Sequence, residues 1–440
     1  MKHTTCLALA VSLGAAQQAA ASGFIDDSKA TLDLRNFYYN QDTRNAKAPS
    51  DKEWGQAFMF NYQSGFTDGP VGLGLDLQAM YGLRLDASGR AGKAGEDNTP
   101  GSVFPLSDGK AANDFSKTGA TGKMRISQTQ FKAGTLLPKL PVLTTEDGRL
   151  LPQSFEGGQI TSNDIDNLTL IGGQLEHTTG RGSSDASGLA VAGATQESNK
   201  FTYGGADYNL TKNLLVQYYY ANLEDYYQQH FAGLVHVLPM GDYGSLKTDL
   251  RYFKTTSDGK NASAAGRADG YKFGGYTKGG TGEIDNDTWS AAFIYSLGPH
   301  AITAGYQRVS DDSNFAQLNQ GGLVGKGEAG PSLYLYTDRT IQTFIQAGER
   351  TAFAQYAYDF AALGVPGLKA SVMYLKGDHI LTTNGNDGSE WERDISLDYV
   401  VQSGTFKNVG FGWRNGMSRS EVARDQDQNR VFVNYSIPLM

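Results

Sequence analysis

Eight basic residues stand at polar positions of segments in which apolar residues recur at every second place, and together they could conduct an anion. In the first such segment Ala30, Leu32 and Leu34 share one face, which leaves Arg35 on the other beside Thr31 and Asp33. Met124 and Ile126 likewise set Lys123 and Arg125 on the opposite face. Between Leu246 and Phe253 the residues Lys247, Asp249 and Arg251 fall together, and Leu368, Ala370, Val372 and Tyr374 oppose Lys369. Near the end, Val409, Phe411 and Trp413 oppose Arg414, and Val431, Val433, Tyr435 and Ile437 oppose Arg430. A carboxylate that enters a narrow passage loses water, and guanidinium groups replace that water with bidentate, charge-assisted hydrogen bonds. Spacing such groups passes the anion from partner to partner without one deep well. The bland reading of any one of these residues is that it pairs with a nearby Asp or Glu and fills space.

The elements that must position them are strands. Val71 to Arg84 alternates almost without fault: Val71, Leu73, Leu75, Leu77, Ala79, Tyr81 and Leu83 on one face, glycines, Asp76, Gln78, Met80 and Arg84 on the other. Ahead of them, residues 1–21 read as a cleavable export signal, with Lys2 as the positive start, Cys6 to Ala16 as the apolar run and Ala19-Ala20-Ala21 as the cleavage site. An exported chain whose strands are apolar outward and polar inward reads as a barrel in an outer membrane. The mean hydropathy of −0.41 excludes a helical membrane protein, whereas a barrel shows only alternate residues to lipid. The 55 glycines suit turns and crowded lumen positions, and the 24 tyrosines and 21 phenylalanines suit the two membrane interfaces. With Cys6 in the signal the mature chain has no thiol, so no disulfide scaffold exists and hydrogen bonding must close the fold.

Turns of two kinds punctuate the strands. Tight ones occur at Ser64–Pro70, Asn209–Asn213, Pro239–Gly244, Leu297–His300, Gly364–Gly367 and Gln402–Lys407. Long polar stretches occur at Asp86–Lys117, Thr178–Ser198, Ser257–Asp285 and Ser310–Gly348. Short turns at one end and long loops at the other are the pattern of an all-β, transmembrane antiparallel β-barrel, here of about 18 strands. Lys123 to His177 is the stretch that parses least clearly. Eighteen strands would enclose water rather than a side-chain core. No linker interrupts residues 22–440, which read as one barrel domain after the 1–21 signal peptide.

Several ordered motifs resemble the OprD-type family of substrate-specific outer-membrane porins: Gly23-Phe24-Ile25-Asp26-Asp27-Ser28 with Leu32 to Asn40, Tyr62 to Thr67, Lys123 to Ser127, Gly364 to Leu368 and Tyr399 to Gly404. The resemblance implies a barrel narrowed by an inward-folded third loop, with a basic row up one wall and acidic groups opposite. It favours Arg35, Lys123, Arg125 and Arg414 as pore residues, on the first, fourth and last strands, which are expected to neighbour one another on closure. Met373 and Gly412 stand where the family pattern leads one to expect further arginines. The constriction is expected from Leu136 to Phe155, whose Pro138, Pro141, Arg149 and Pro152 resemble the family's third loop and whose prolines limit its freedom. Asn222 to Tyr227 and Trp391 to Asp394 resemble the branch that takes up aromatic and other simple carboxylic acids, such as benzoate-like compounds. The basic amino acid or peptide-selective branch is the alternative, and an outer-membrane barrel enzyme is the alternative from another class.

Signals for other chemistry are weak. His230 and His236 share a strand face, which suits an interface role better than metal binding. Gly325-Lys326-Gly327-Glu328-Ala329-Gly330 lacks the Lys-Ser/Thr ending of a phosphate loop, and no Gly-x-Ser-x-Gly elbow occurs. The formal charge of −8 argues against nucleic acid. The expected partners are small carboxylate substrates and outer-membrane lipid and lipopolysaccharide. No cofactor or metal is expected, and the barrel is expected as a monomer or weak homotrimer in a Gram-negative outer membrane.

Overall fold

Alternation is rendered as strand almost wherever it occurs. The computed structural model describes residues 22–44, 49–93, 95–318, 332–383, 385 and 387–440; the expected signal segment and the Gly325–Gly330 stretch lie outside the described residues. Among the described residues the long strands are β1 (Lys29–Thr43), β2 (Asp51–Gln63), β3 (Val71–Ala87), β4 (Asp114–Ile126), β5 (Thr129–Leu136) and β6 (Ser154–Ile165). They continue with β7 (Leu168–Thr179), β8 (Phe201–Thr211), β9 (Leu214–Leu223), β10 (Tyr227–Pro239), β11 (Ser245–Ser257) and β12 (Asp285–Leu297). The last are β13 (His300–Val309), β14 (Arg350–Asp359), β15 (Leu368–Leu381), β16 (Asp387–Val400), β17 (Gly410–Ser420) and β18 (Gln426–Pro438).

Each strand pairs antiparallel with its neighbours in sequence, and β1 pairs with β18 from Thr31↔Pro438 to Thr43↔Gln426. This closes an 18-strand barrel, which leaves no free edge and satisfies the backbone inside lipid. Leu73, Leu77 and Tyr81 of β3 are 53%, 40% and 41% exposed, as an outward belt facing hydrocarbon requires. A short helix, Ser22–Asp26, precedes β1 and was not foreseen from the alternation. It rests on the first tight turn, where Gly65 N–H donates to Phe24 O at 2.9 Å and a Cβ on Gly65 would sit 1.9 Å from Gly23 O.

Two expectations are corrected. Strand β4 lies three places from β1, behind β2 and β3, so the first and last strands are neighbours and the fourth is not. The lumen is also far from an open water tube. Loop side chains fill much of it: Leu140, Val142 and Leu143 pack with Phe231, Phe253 and Phe315 in one cluster, and Leu150 and Leu151 with Phe37, Phe104 and Phe115 in another. The segment between β5 and β6 supplies both groups of leucines, so it ties two apolar masses together inside the barrel.

Candidate functional site

The inward segment has the sequence bounds expected of it. Residues 137–153 leave the eight-residue strand β5 and return to β6, and Pro138, Pro141 and Pro152 are all buried. Each proline carbonyl, which no ring constrains, accepts a bond: Pro138 O from Thr145 N at 2.9 Å, Pro141 O from Gln317 Nε2 at 3.1 Å, and Pro152 O from Lys117 Nζ at 2.8 Å. The loop is therefore pinned along its length inside the barrel.

Arginines meet this loop from the wall. Arg35 grips Asp147 with Nη1–Oδ1 at 2.8 Å and Nη2–Oδ2 at 3.3 Å, and its Nη1 also donates to Arg149 O at 2.8 Å. Arg430 donates through Nε to Gln428 Oε1 at 2.6 Å and through Nη2 to Thr340 O. Its other nitrogen, Nη1, lies 3.5 Å from where a Cβ on Gly148 would be, so Arg430 stands between the constriction loop and the segment around Thr340. Arg181 pairs with Glu146 at 3.1 Å, and the same Glu146 oxygen accepts Gly148 N–H at 2.7 Å. Arg149 lies over the Tyr39 ring at 4.6 Å and donates to Gly148 O; its Nε has no partner among the described residues. Burial, with Arg430 and Arg181 close by, lowers the Arg149 guanidinium to about 9, which leaves it charged at neutral pH. Three arginines thus gather around Glu146, with Asp338 and Asp394 close to Arg430. Toward the periplasmic turns a cavity of about 590 Å³ opens, lined by Asp33, Arg35, Asn61, Asp147, Asp398 and Asn434 among others.

The other expected ladder residues fare differently. Arg414 is directly cross-strand from Arg430, but turns to Asp398 at 2.7 Å and lies over the Phe432 ring at 5.1 Å. Lys123 is inward and spent, on Asp76 at 2.6 Å and Ser64 O at 2.7 Å. Arg125 stacks on Phe66 of the periplasmic turn at 4.4 Å. Lys247 and Arg251 are corrected from the ladder to the far wall, because β11 stands across the barrel from β1. There Arg251 clasps Asp249 at 2.9 and 3.1 Å and is sandwiched between Tyr334 and Tyr336; Lys247 reaches the same Asp249 at 3.7 Å. Lys369 is corrected to the periplasmic rim, where it pairs with Asp359 at 3.4 Å in solvent. At the two positions where arginine was expected, Gly412 leaves the space that the Phe432 ring fills, 2.1 Å from a notional Cβ, and Met373 packs with Phe344 and Phe353.

Some residues escaped sequence reasoning. Arg181 sits in a loop, where alternation assigns no face. Lys117 falls at the outer end of β4, in a stretch read as loop. Glu392 receives Ile341 N–H at 2.9 Å and Gln342 N–H at 2.6 Å, which fastens the loop between β13 and β14 to β16. It lies within the Trp391–Asp394 motif, and its inward parity on an alternating strand marks it as facing the lumen. His230 faces outward and meets Tyr218 Oη at 2.8 Å, between the rings of Tyr218 and Tyr220, in keeping with an interface role.

Residues 22–439 match the family model described as outer membrane porin, OprD family. The chain belongs to that family. Porin-like protein GalP of Pseudomonas putida is 35% identical over 431 residues, covering 96% of this chain and 95% of that protein. The crystal structure of Pseudomonas aeruginosa OccK8 (OprE) has 50% identity and a TM-score of 0.86, over 95% of this chain and 100% of that one. The structure of Pseudomonas aeruginosa OpdK with vanillate has 33% identity and a TM-score of 0.81, over 94% and 100%. This OprD-family porin is therefore a Gram-negative outer-membrane channel for small molecules, not an enzyme.

Proposed function

We propose that the channel passes small organic acids and that their carboxylate is received by the guanidinium cluster at the constriction. One observation carries this reading: Arg149, Arg181 and Arg430 converge around Glu146, and the buried Arg149 has no carboxylate within ion-pair distance among the described residues, Asp338 and Asp394 standing nearer Arg430. An unpaired buried cation is costly, and an incoming anion relieves that cost. Two acidic side chains that would otherwise favour cations are consumed elsewhere: Glu392 holds backbone N–H groups and Asp249 is clasped by Arg251. Local field in a low-dielectric aperture outweighs the chain's negative net charge. Aromatic rings stand beside these cations, Tyr39 under Arg149 and Phe432 under Arg414, and suit a flat aromatic acid. The OpdK structure contains vanillate, a benzoate, which supports the aromatic-acid reading over the basic amino acid branch.

Liposome swelling and reversal potentials with benzoate and with arginine test the reading. Replacing Arg149 by Ala removes a charge-assisted partner worth about 1.5–3 kcal/mol, so benzoate flux at low concentration falls about tenfold or more. Equal wild-type permeability to arginine and benzoate would assign the channel to the basic amino acid branch instead.

A further inference from the structure

The outer wall carries a second cationic surface, unrelated to the pore. Outward residues of neighbouring strands form rows at the extracellular end: Trp289, Arg308, Arg350 and Asp378 in one, and Tyr306, Ala352, Lys376 and Trp391 in the row below. Arg308 and Arg350 are cross-strand partners, and Lys376 is the diagonal neighbour of Arg350. Below and beside them lie rings that suit the membrane interface, Trp289 against Tyr306 at 5.6 Å and Trp391 stacked on Tyr374 at 5.9 Å.

Several other outward charges at this level are paired in place. Lys254 pairs with Asp287 at 3.1 Å, and Arg44 and Arg419 share Asp427 at 2.5 and 2.8 Å. Arg308, Arg350 and Lys376 have no carboxylate within ion-pair distance among the described residues, although Arg308 lines a small cavity with Asp287, Asp311 and Asp312, of which Asp287 is held by Lys254 and Asp312 by Lys278. Asp378, the one acid in their rows, is taken by His379 Nδ1 at 2.5 Å, and Arg350 meets only His379 Nε2 at 3.4 Å. Arg308 and Lys376 are exposed. Three cations without an ion pair, directly above an aromatic belt on a wall that faces lipid, suit a ligand with anionic oxygens joined to acyl chains.

We infer that Arg308, Arg350 and Lys376 form a docking site for the phosphorylated glycolipid of the outer leaflet, lipopolysaccharide, its phosphate held by the cations and its acyl chains laid over Trp289, Tyr306, Tyr374 and Trp391. Phosphate accepts bidentate bonds from arginine and a point contact from lysine. The site lies outside the barrel, so it is independent of what the pore carries.

The test is binding of bis-phosphorylated lipid A to the detergent-solubilised porin, read by native mass spectrometry. The same lipid with its phosphates removed, and inorganic phosphate alone, are measured beside it. Wild type should bind the phosphorylated lipid in a salt-sensitive manner and the dephosphorylated lipid at least tenfold more weakly. The triple variant Arg308→Ala, Arg350→Ala, Lys376→Ala should lose at least tenfold in affinity, with heat-modifiable gel migration and benzoate flux unchanged. A charge-keeping variant, Arg308→Lys with Arg350→Lys and Lys376→Arg, should retain most of the binding, which separates loss of charge from loss of fold. Equal binding by the triple alanine variant, or by dephosphorylated lipid, would overturn the site. Inorganic phosphate that competes as strongly as the lipid would reduce it to a general anion patch and overturn the lipid assignment.

Discussion

Arg35 and Asp147 are joined by two parallel contacts of 2.8 and 3.3 Å, and they couple the first strand of the barrel to the tip of its constriction loop. The same arginine also holds Arg149 O at 2.8 Å. One side chain therefore fixes both the carboxylate that faces the periplasmic cavity and the backbone that carries the buried Arg149. Arg35→Ala should loosen the aperture by removing both contacts, and single-channel recordings should show current flicker several times that of wild type. Asp147→Asn should change flicker little, because the bond to Arg149 O persists, while it shifts the reversal potential toward anions. If the two variants flickered alike, the contact with the loop backbone would have no role in holding the aperture.

Glu53 of β2 receives four successive backbone N–H groups, Gly101 at 3.0 Å, Ser102 at 2.7 Å, Val103 at 2.9 Å and Phe104 at 3.0 Å. Such a nest is an anion socket made from a loop, and here the anion is supplied by the wall. Glu53→Ala strands these donors, at about 1–3 kcal/mol for each that stays buried. The loop between β3 and β4 should detach rather than tolerate that loss. Limited proteolysis should then cut it in intact cells, while heat-modifiable migration of the barrel stays normal. Protection equal to wild type would mean that Phe104 and Val103 packing alone holds the loop.

Much of the barrel is legible because its physics has period two. Val71 to Arg84 needed only parity to place every side chain, and the tight turns announce themselves through glycine, proline and asparagine. Lys123 to His177 was obscure for identifiable reasons: β5 has only eight residues, and the pairing of β6 with β7 shifts register at Glu156/Gly157 and Ser162/Ile165. Parity also told which way Arg35, Arg414 and Arg430 point, but not whom they meet. Arg414 goes to Asp398 and Arg430 to Thr340, and those partners depend on loops and diagonal neighbours that no local pattern encodes. The apolar filling of the lumen was invisible for the same reason, since Leu143 and Phe315 become neighbours only once distant loops fold inward.

Gly134 sits in β5 just before the constriction loop, with φ of 129° and a notional Cβ 2.0 Å from Ala120 O. The obstacle is backbone and cannot swing away. Gly134→Ala should therefore cost about 1–3 kcal/mol in strained backbone alone, with the clash added to it. Gly122, whose nearest obstacle is 3.9 Å away, is the matched control on the adjacent strand. Thermal unfolding followed by gel migration should show a lower transition for Gly134→Ala and none of that loss for Gly122→Ala. Equal transitions would mean that the strand relaxes around the new methyl.

Asp338 supplies the pH dependence. Burial, with Glu146 nearby, raises its carboxyl to about 7, although the Leu333 N–H it accepts at 2.7 Å pulls the other way. Because the folded value exceeds the ordinary one of about 4, the protonated form is the one the fold favours. Its contribution to loop stability is full below that ordinary value and is lost as pH rises toward 7. As pH passes through about 7 a negative charge appears near Glu146 and Arg430 and opposes an entering anion. Benzoate permeability should therefore decline from about pH 6 to about pH 8, where benzoate itself is fully ionised throughout. Asp338→Asn should flatten that decline and hold flux near the low-pH level. A slope in the variant as steep as in wild type would show that another group gates the anion, and would remove Asp338 from the electrostatics of the constriction.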